Sequence, residues 1–531
     1  MGSNNIFFKS TKSHIFIIVV VSFLVYFNAL FNGFAYDDQY QILGNRWITN
    51  VKHIPEIFFR DAWNFENLSS GYYRPLMHIL YMGDYFIFGL APWGFHLVNV
   101  TVHAAVSVLV FLILLKLLEQ SQPSKHASNL PSLLAAILFA THPVHTEAVT
   151  WIAGIPDVAF TFFYLLSFYL YIRSDGGFKK SHYILSAISF LAAALFKETG
   201  LTLPFILMGY EYAFRRETSL LLKLKKYLPY LLVASIYLIM RYVALGGIVT
   251  VRTRAGLSSF VINTFPLFFR YVEKMLFPAN LTIWHTVHPI TSIYSTRWIL
   301  SLVVAVAFLF VLLVTIKRNK TIFLALLFVL VPLMPALYAS GVLWQPFSER
   351  YLYLPSFGLA VLGGVILVWA ENKKPKMFIC AALVSVFIIT LYSLGTFNRN
   401  TIWKDDYTLW SDAVKKAPDE CIPNIGLGEA LFDRGETNKA IQHFRIALSL
   451  NRYFAESTAK DYYRRGIFYL QAGWTDKAIK QFQIALFLKP SNADAHNYLG
   501  NAYEEKGMID EAVKEYETAF RIRRVAEPVP K

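Results

Sequence analysis

Long apolar runs separated by short basic clusters constrain the fold of this 531-residue chain more than any other feature. A helix needs roughly 20 apolar residues to cross a hydrocarbon core about 30 Å thick, and fewer where neighbouring protein shields it. We predict eleven such spans, at 14–31, 95–116, 131–150, 156–173, 182–197, 200–214, 227–246, 298–316, 322–341, 351–370 and 377–395. The chain is therefore expected to be an all-α, polytopic membrane protein.

The composition agrees with this class, because 55% of the residues are hydrophobic and only 16% are charged. A net charge of +15 could indicate a nucleic-acid partner. However, the lysines and arginines lie in short clusters between the apolar runs, where they determine topology. We therefore expect the lipid bilayer, and no nucleic acid, as the partner of this charge.

Six basic clusters occur at every second loop, and basic residues collect in short cytoplasmic loops. This alternation places the N-terminus in the cytoplasm and everything after about residue 396 outside. Two amphipathic segments, 73–90 and 262–278, carry charges and are expected to lie in the outer interface instead of crossing. The clusters are Lys9 and Lys12; Lys116 and Lys125; Arg173, Lys179 and Lys180; Arg215, Arg216, Lys223, Lys225 and Lys226; Lys317, Arg318 and Lys320; and Lys373, Lys374 and Lys376.

The opposite side of the membrane collects ionisable residues of mixed sign in loops 32–94 and 247–297 and in three short turns. Such residues are costly at a membrane boundary, so their convergence predicts a functional site there. Taken singly, each is equally explained by snorkelling or capping. The set is Asp37, Asp38, Arg74, His142, His145, Glu147, Asp157, Lys197, Glu198, Arg252, Arg254, His285, His288, Glu349 and Arg350.

Past Lys404 the sequence becomes polar and repeats with a period of 34 residues. Gly466 and Gly500 are separated by this period, and so are Phe482 and Tyr516. The period and the small-residue positions are typical of tetratricopeptide repeats, which stack into a solenoid with a concave, peptide-binding surface. We predict a membrane domain over 1–396, a packing helix or linker over 397–420, and three extracytoplasmic repeats over 421–454, 459–492 and 493–526.

Several outer motifs, followed by such repeats, resemble the transmembrane and tetratricopeptide repeat family of the glycosyltransferase-C superfamily, near the protein O-mannosyltransferases. One stretch departs from the family: its usual glycine-arginine-alanine-aspartate reads Gly154–Ile155–Pro156–Asp157 here, so the role of that arginine is lost or displaced. The motifs are FAYDD (34–38), YRPL (73–76, with the tyrosine first), FATHPVHTEAV (139–149), KETG (197–200) and ERYLYLPS (349–356).

The resemblance implies a glycosyltransferase-C fold and transfer of a hexose, such as mannose, from a polyprenyl-phosphate donor. The implied acceptor is a hydroxyl outside the cytoplasm, on a protein Ser or Thr or on a glycan, bound through the repeats. A bacterial inner membrane with periplasmic repeats is the expected location, or a lumenal arrangement in a eukaryote. The alternative from another class is a non-catalytic membrane scaffold whose repeats recruit an envelope protein.

Residue roles follow from the same resemblance. Asp37 is predicted to be the base that takes the acceptor proton, with Asp38 supporting it, unless both carboxylates merely cap a loop helix. Growing negative charge on the leaving phosphate requires cations. A guanidinium suits phosphate best, so Arg350 is the first candidate unless it pairs with Glu349 or a neighbouring loop. The other candidates are Arg74, Lys197 and Arg241.

Four further residues are predicted to position the sugar or acceptor: His142, His145, Glu147 and Glu349. The two histidines are three residues apart, a spacing that could place both imidazoles on one face of a helical turn and bind a metal. We expect no cofactor, with a divalent metal as the open alternative.

Overall fold

The structure is a computed structural model that describes residues 10–121, 129–174, 180–215, 220–247, 257–287, 290, 292–339 and 347–526. Arg252, Arg254 and His288 of the predicted outer set, and parts of the basic clusters, lie outside the described residues. Within them the chain is helical and contains no β-strand, which confirms the all-α prediction. Two compact units are present: Met1–Ala62 with Ser69–Asp405, and Trp63–Leu68 with Asp406–Lys531.

The first unit contains fifteen α-helices among its described residues. They are α1 Thr11–Tyr26, α2 Ile54–Phe59, α3 Pro75–Phe88, α4 Pro92–Ser121, α5 Asn129–Ala140, α6 Thr146–Val149, α7 Ile155–Arg173, α8 Lys180–Phe196, α9 Leu203–Tyr210, α10 Leu220–Leu245, α11 Leu257–Leu276, α12 Thr296–Arg318, α13 Lys320–Ala339, α14 Ser356–Lys373 and α15 Pro375–Asn400.

Seven helical segments in the described chain are long and apolar enough to cross a membrane, and each overlaps a predicted span. The chain is an integral membrane protein. Two further apolar helices, α5 and α8, are shorter, and the predicted spans 200–214 and 351–370 correspond to α9 and α14 with their flanking turns. The seven segments are Thr11–Phe31, Pro92–Gln120, Ile152–Arg173, Lys226–Leu245, Thr296–Arg318, Lys320–Tyr338 and Pro375–Trp403.

The prediction of one continuous helix over 131–150 is wrong. Helix α5 ends at Ala140, a 3₁₀ turn follows at Pro143–His145, and α6 covers only Thr146–Val149. The cause is Pro143, which disfavours the helical conformation of the residue before it. His142 accordingly has an extended backbone, with ψ of 123°. This break turns the histidine motif into a folded loop.

Hydrogen bonds tie the end of the first span to the end of the last. Asn32 Nδ2 donates to the carbonyl of Asn400 at 2.8 Å, and Asn400 Nδ2 donates to the carbonyl of Val25 at 3.0 Å. The amide of Gly33 donates to the carbonyl of Lys404 at 2.9 Å. These bonds fix where the FAYDD loop leaves the 3₁₀ turn Phe27–Phe31 that follows α1.

The second unit consists of helices arranged as one leading helix and three consecutive pairs. Each pair is closed by an aromatic ring against a glycine: a Cβ added to Gly466 would lie 2.5 Å from a ring carbon of Phe482, and one added to Gly500 equally close to Tyr516. The helices are α16 Asp406–Lys416, α17 Cys421–Asp433, α18 Thr437–Leu450, α19 Arg452–Gln471, α20 Thr475–Leu488, α21 Ala493–Glu505 and α22 Ile509–Ala526.

Candidate active site

The two acidic residues of the FAYDD loop have different environments. Asp38 is buried, and its carboxylate accepts hydrogen bonds from the amides of Ala35 at 3.0 Å and Ala153 at 2.8 Å. It therefore fastens this loop to the 3₁₀ turn before α7. Asp37 is only partly buried. The preceding Tyr36 has a φ of 59°, a left-handed conformation that is uncommon for a residue other than glycine.

A cavity of about 290 Å³ lies among the predicted outer motifs. Three of the four predicted phosphate-binding cations line it: Arg74, Lys197 and Arg241. Its other walls are acidic, aromatic and proline-rich, and include Asp157, Glu198, Thr199, Tyr72, Tyr351, Pro332, Pro335 and Ala336. Residues far apart in sequence thus converge on one pocket, as expected for a ligand site.

Arg74 is oriented by a carboxylate and a ring. Its Nη2 and Nε lie 3.0 and 3.3 Å from the two oxygens of Glu198, and its guanidinium lies 4.3 Å from the centre of the Tyr72 ring. Burial alone favours the protonated acid, but the ion pair with Arg74 outweighs it and lowers the pKa of Glu198 to about 2. Both groups therefore remain charged at neutral pH.

Lys197 and Asp157 form a second ion pair, and both residues are buried. The ammonium group also lies 4.6 Å from the centre of the Tyr351 ring. A buried charge of this kind is stable only when it is paired. The two pairs place alternating positive and negative groups along the cavity wall.

Arg241 is the cation with spare donor capacity. Its Nη2 donates to the carbonyl of Gly71 at 2.9 Å, whereas its buried Nη1 has no hydrogen-bond partner in the described part of the chain. The carbonyl itself is held in place, because Asp61 accepts hydrogen bonds from the amides of Ser70 and Gly71 at 3.0 and 2.6 Å. A guanidinium with a spare donor beside a cavity is suited to an anionic ligand.

Arg350 does not line this cavity, and its partner is Glu147, not Glu349. Its Nη1 lies 2.5 Å from one oxygen of Glu147, and its amide donates to the other at 3.1 Å. The guanidinium also lies 5.3 Å from the centre of the Trp151 ring. The predicted alternative, an ion pair with a neighbouring loop, is therefore what the structure contains, and Glu147 positions this arginine.

Tyr36 connects the acidic loop to Arg350. Burial and the charge of Asp37 raise the pKa of the Tyr36 phenol, whereas the charge of Arg350 acts to lower it. The same ring lies 5.4 Å from that of Trp151. The FAYDD loop and the ERYLYLPS motif, more than three hundred residues apart in sequence, are thus brought together.

Glu349 belongs to a separate cluster. Its Oε1 accepts hydrogen bonds from the amide of Thr282 at 2.6 Å and from His285 Nε2 at 2.7 Å, and Arg399 lies 3.5 Å from Oε2. Burial acts to raise the pKa of Glu349, but Arg399 and His285 outweigh it, so the pKa lies below the usual value. Glu349 is not part of the cavity wall; it anchors the loop that carries Thr282.

His142 and His145 are buried within the helix packing, and neither lines the cavity. His142 Nε2 donates to the carbonyl of Met275 at 2.9 Å, and its Nδ1 accepts from the amide of Val144 at 3.2 Å. His145 Nε2 bonds Ser356 Oγ at 2.7 Å. No group of three potential metal ligands was found among the described residues. These contacts hold the histidine loop against α11 and α14.

Two acids and two tyrosines that accompany the cations of the cavity wall have no role predicted from the sequence. Asp157 and Glu198 were recognised as outer ionisable residues, but their pairing with Lys197 and Arg74 depends on which helices meet. Tyr72 and Tyr351 lie beside or inside the recognised motifs YRPL and ERYLYLPS. An aromatic residue next to a predicted phosphate-binding cation is the signal that could have identified them.

The fold and site define an all-helical integral membrane protein that carries tetratricopeptide repeats. A family model described as TPR repeat matches residues 466–507, and one described as Tetratricopeptide repeat matches 493–524. These matches confirm the prediction that the repeats are tetratricopeptide repeats.

Curated relatives are similar to this chain beyond the repeats, in the first compact unit, which we call the membrane unit; the second is the repeat unit. The chain is 29% identical over 474 residues to human "Protein O-mannosyl-transferase TMTC3", with 81% of this chain and 50% of the relative covered. It is 27% identical to "Protein O-mannosyl-transferase F38B6.6" of Caenorhabditis elegans, with 82% and 63% covered. The predicted resemblance to the transmembrane and tetratricopeptide repeat proteins is confirmed, and the chain is their homologue. It spans about half the length of the first of these relatives.

Two solved structures are similar to this chain at lower sequence identity. An oligosaccharyltransferase of Archaeoglobus fulgidus, in complex with Zn and sulfate, is 14% identical with a TM-score of 0.42, over 73% of this chain and 53% of that one. ArnT from Cupriavidus metallidurans bound to undecaprenyl phosphate is 12% identical with a TM-score of 0.40, over 91% and 79%.

Proposed function

We propose that this protein is a membrane glycosyltransferase that moves a hexose, such as mannose, from a polyprenyl-phosphate donor to an acceptor hydroxyl. The observation that carries the proposal is the 290 Å³ cavity, where Arg74, Lys197 and Arg241 converge. The names of the curated relatives, protein O-mannosyl-transferases, support the same activity. A Ser or Thr of a protein is the proposed acceptor, held by the repeats.

In the proposed reaction the donor phosphate lies beside Arg241 and Arg74. The spare Nη1 of Arg241 and the Tyr72-supported guanidinium of Arg74 supply donors to the phosphate oxygens. Positive charge is most useful there because negative charge accumulates on the phosphate as the sugar leaves. The apolar wall formed by Pro332, Pro335 and Ala336 suits the lipid chain. In this proposal Arg350, the first candidate from the sequence, does not contact the phosphate and instead holds its neighbours in position through Glu147.

Asp37, which is not among the residues that line the cavity, is the proposed base. It takes the proton of the acceptor hydroxyl, whose oxygen forms a bond to the anomeric carbon of the sugar. The bond between that carbon and the phosphate oxygen breaks, and the polyprenyl phosphate leaves with the electron pair. The products are the glycosylated acceptor, the polyprenyl phosphate and one proton, which passes from Asp37 to solvent. Asp38 keeps the loop in place through its two amide bonds.

The test is transfer of mannose from a polyprenyl-phosphate mannose to a Ser/Thr-rich peptide by the purified full chain in detergent. We expect Asp37→Asn to lower the rate about 10²- to 10⁴-fold, the usual contribution of a general base. Asp419→Asn, at an exposed position of the second unit, is the control and should retain the wild-type rate. Wild-type transfer by Asp37→Asn would reject the assignment of the base, and no transfer by the wild type with any hexose would favour the scaffold.

We further propose that transfer needs no metal ion or other cofactor. The cations of the cavity supply the positive charge that a divalent ion would otherwise provide. Dialysis of the purified protein against EDTA should leave the transfer rate within about twofold of the untreated enzyme. A loss that Mg²⁺ or Mn²⁺ restores would contradict this part of the proposal.

The cavity is proposed to face the periplasm of a bacterial inner membrane, or the lumen in a eukaryotic cell, with the N-terminus in the cytoplasm. The alternation of basic clusters supports this orientation. Single-cysteine labelling with a membrane-impermeant maleimide checks it. Asp419→Cys, in a Cys380→Ser and Cys421→Ser background, should react in intact cells stripped of their outer barrier, whereas Lys374→Cys should not.

A further inference from the structure

A second cavity, of about 710 Å³, lies at the opposite ends of α13 and α14 from the candidate site. Its lining includes the first residues of α13, the last residues of α12 and the C-terminal part of α14. The candidate site instead contacts α13 at Pro332, Pro335 and Ala336. A helix rises 1.5 Å per residue, so Lys320 and Ala336 are about 24 Å apart along α13. The second cavity therefore lies toward the face predicted to be cytoplasmic.

The charged side chains that line this second cavity, among the residues that the structure describes, are all cations. Four cations line it, and no Asp or Glu is among the described lining residues. None of the four cations has a described ion pair to an acid, and the nearest acid in sequence, Glu371, is exposed and outside the lining. The cations are Lys317, Arg318, Lys320 and Lys373. This arrangement contrasts with the candidate site, where Arg74 and Lys197 are neutralised by carboxylates.

The start of α13 adds further donors. Asn319 caps this 20-residue helix, with its Oδ1 accepting from the amide of Ile322 at 3.1 Å. The first amides of a helix favour anions. Thr321 also lines the cavity and is buried, and its Oγ1 has no hydrogen-bond partner in the described chain. An anion with several oxygens, such as a phosphate, satisfies this combination of groups.

The outer part of the same cavity is apolar. Ile366 and Trp369 line it and are 59% and 52% exposed. On α14 Trp369 lies about one turn and Ile366 about two turns before the basic end at Lys373, and Trp is enriched where membrane and water meet. Cations beside exposed apolar side chains match an amphiphile better than a free ion. We propose that this cavity binds the phosphate headgroup of an anionic phospholipid, with its acyl chains along Ile366 and Trp369.

Native mass spectrometry of the purified full chain tests this site, with the detergent supplemented with phosphatidylglycerol or phosphatidylcholine of identical acyl chains. We expect the wild type to retain one phosphatidylglycerol after mild delipidation. The double variant Arg318→Gln with Lys373→Gln should lower the apparent affinity about tenfold or more, because each cation near the headgroup contributes. Trp369→Ala should weaken retention while leaving the charges in place.

The matched control is Lys374→Gln with Lys376→Gln, which removes two exposed charges of the same basic segment that do not line the cavity. It should retain phosphatidylglycerol within about twofold of the wild type. Equal losses in both double variants would overturn the proposal, because general membrane electrostatics would then explain binding. Equal retention of phosphatidylcholine, or equal affinity for inorganic phosphate, would also overturn it. Lys320→Gln provides an independent variant if the first pair fails to fold.

Discussion

The interiors of the two compact units are built from different chemistry. The membrane unit buries charged and polar side chains, including Lys197, Asp157 and Glu349. The repeat unit is filled mainly by alanines and aromatic rings, such as Ala478 against Phe482. Burying a charge is costly unless a partner compensates it. The difference indicates that the interior of the membrane unit depends on pairing buried charges, whereas the repeated positions of the second unit serve packing.

The largest effect is expected from breaking the buried pair between Lys197 and Asp157. Lys197→Met leaves an uncompensated carboxylate in the interior and should lower the free energy of unfolding by about 3–5 kcal/mol. Chemical denaturation in mixed micelles measures it. The double variant Lys197→Met with Asp157→Leu removes both charges and should recover much of the loss. A double variant as unstable as the single one would show that packing, not charge, dominates here.

A pH dependence follows from the pair between Arg74 and Glu198. The pKa of Glu198 falls from an ordinary 4.5 to about 2, so the stabilisation by this pair is complete above pH 4.5. It disappears as the pH falls through about 2. Arg74→Gln should destabilise the neutral protein by about 1.5–3 kcal/mol, the usual contribution of a charged hydrogen bond, and should flatten the curve of unfolding free energy against pH in this window.

The control for this pH dependence is Arg464→Gln. Arg464 lies 4.0 Å from Asp461 on the surface of the second unit, with both side chains more than half exposed. The acid part of its curve of unfolding free energy against pH should coincide with that of the wild type. An unchanged acid part of this curve in Arg74→Gln would mean that other carboxylates set the acid stability.

Replacing a glycine by alanine is predicted to have opposite effects on stability in the two units. A Cβ at Gly466 meets the Phe482 ring at 2.5 Å, so Gly466→Ala should destabilise by about 1–3 kcal/mol through overpacking. Gly83, inside α3 of the membrane unit, has open space within 4 Å. Gly83→Ala should instead stabilise by up to about 1 kcal/mol, because alanine favours a helix. Equal signs in thermal unfolding would contradict this contrast.

The smallest effect is expected from an ion-pair network on the repeat unit. Lys480 lies 2.8 Å from Asp433 and 3.3 Å from Glu429, with its side chain 30% exposed. Lys480→Met should cost about 0.5–1 kcal/mol. Denaturation at high salt should reduce the Lys480 effect. A cost near that of Lys197→Met would remove the distinction between the two interiors.

The positions of the helices were largely predictable from sequence, because apolar runs of membrane length and a 34-residue period are local signals. Two predicted spans differ from the helices of the structure, and both differences have local causes. Pro143 ends the third predicted span at Ala140, and the segment over 200–214 contains the short α9 between a 3₁₀ turn at Glu198–Thr202 and a π-helical turn at Glu211–Arg215. Short apolar segments broken by turns are ambiguous, since burial in protein can replace the length needed in lipid.

The candidate site was predictable only in part. The need for positive charge at a leaving phosphate selected Arg74, Lys197 and Arg241, and all three line one cavity. The motifs also selected Arg350, His142 and His145, which pack around the cavity without lining it. A motif indicates which residues a fold needs, but it does not indicate whether they contact a ligand or hold a loop. Glu147 and Glu349 are of the second kind: one carboxylate holds Arg350 and the other a distant loop.

The sequence by itself determined that this chain is helical, enters a membrane and ends in repeats, because hydropathy and periodicity act over neighbouring residues. It also supplied the charges that converge on the candidate site. Only the tertiary structure decided the pairing of those charges: Arg350 with Glu147, Lys197 with Asp157 and Arg74 with Glu198. Those partners are between 40 and about 200 residues apart, and electrostatic pairing acts over a few ångströms in space, so it depends on which helices pack together.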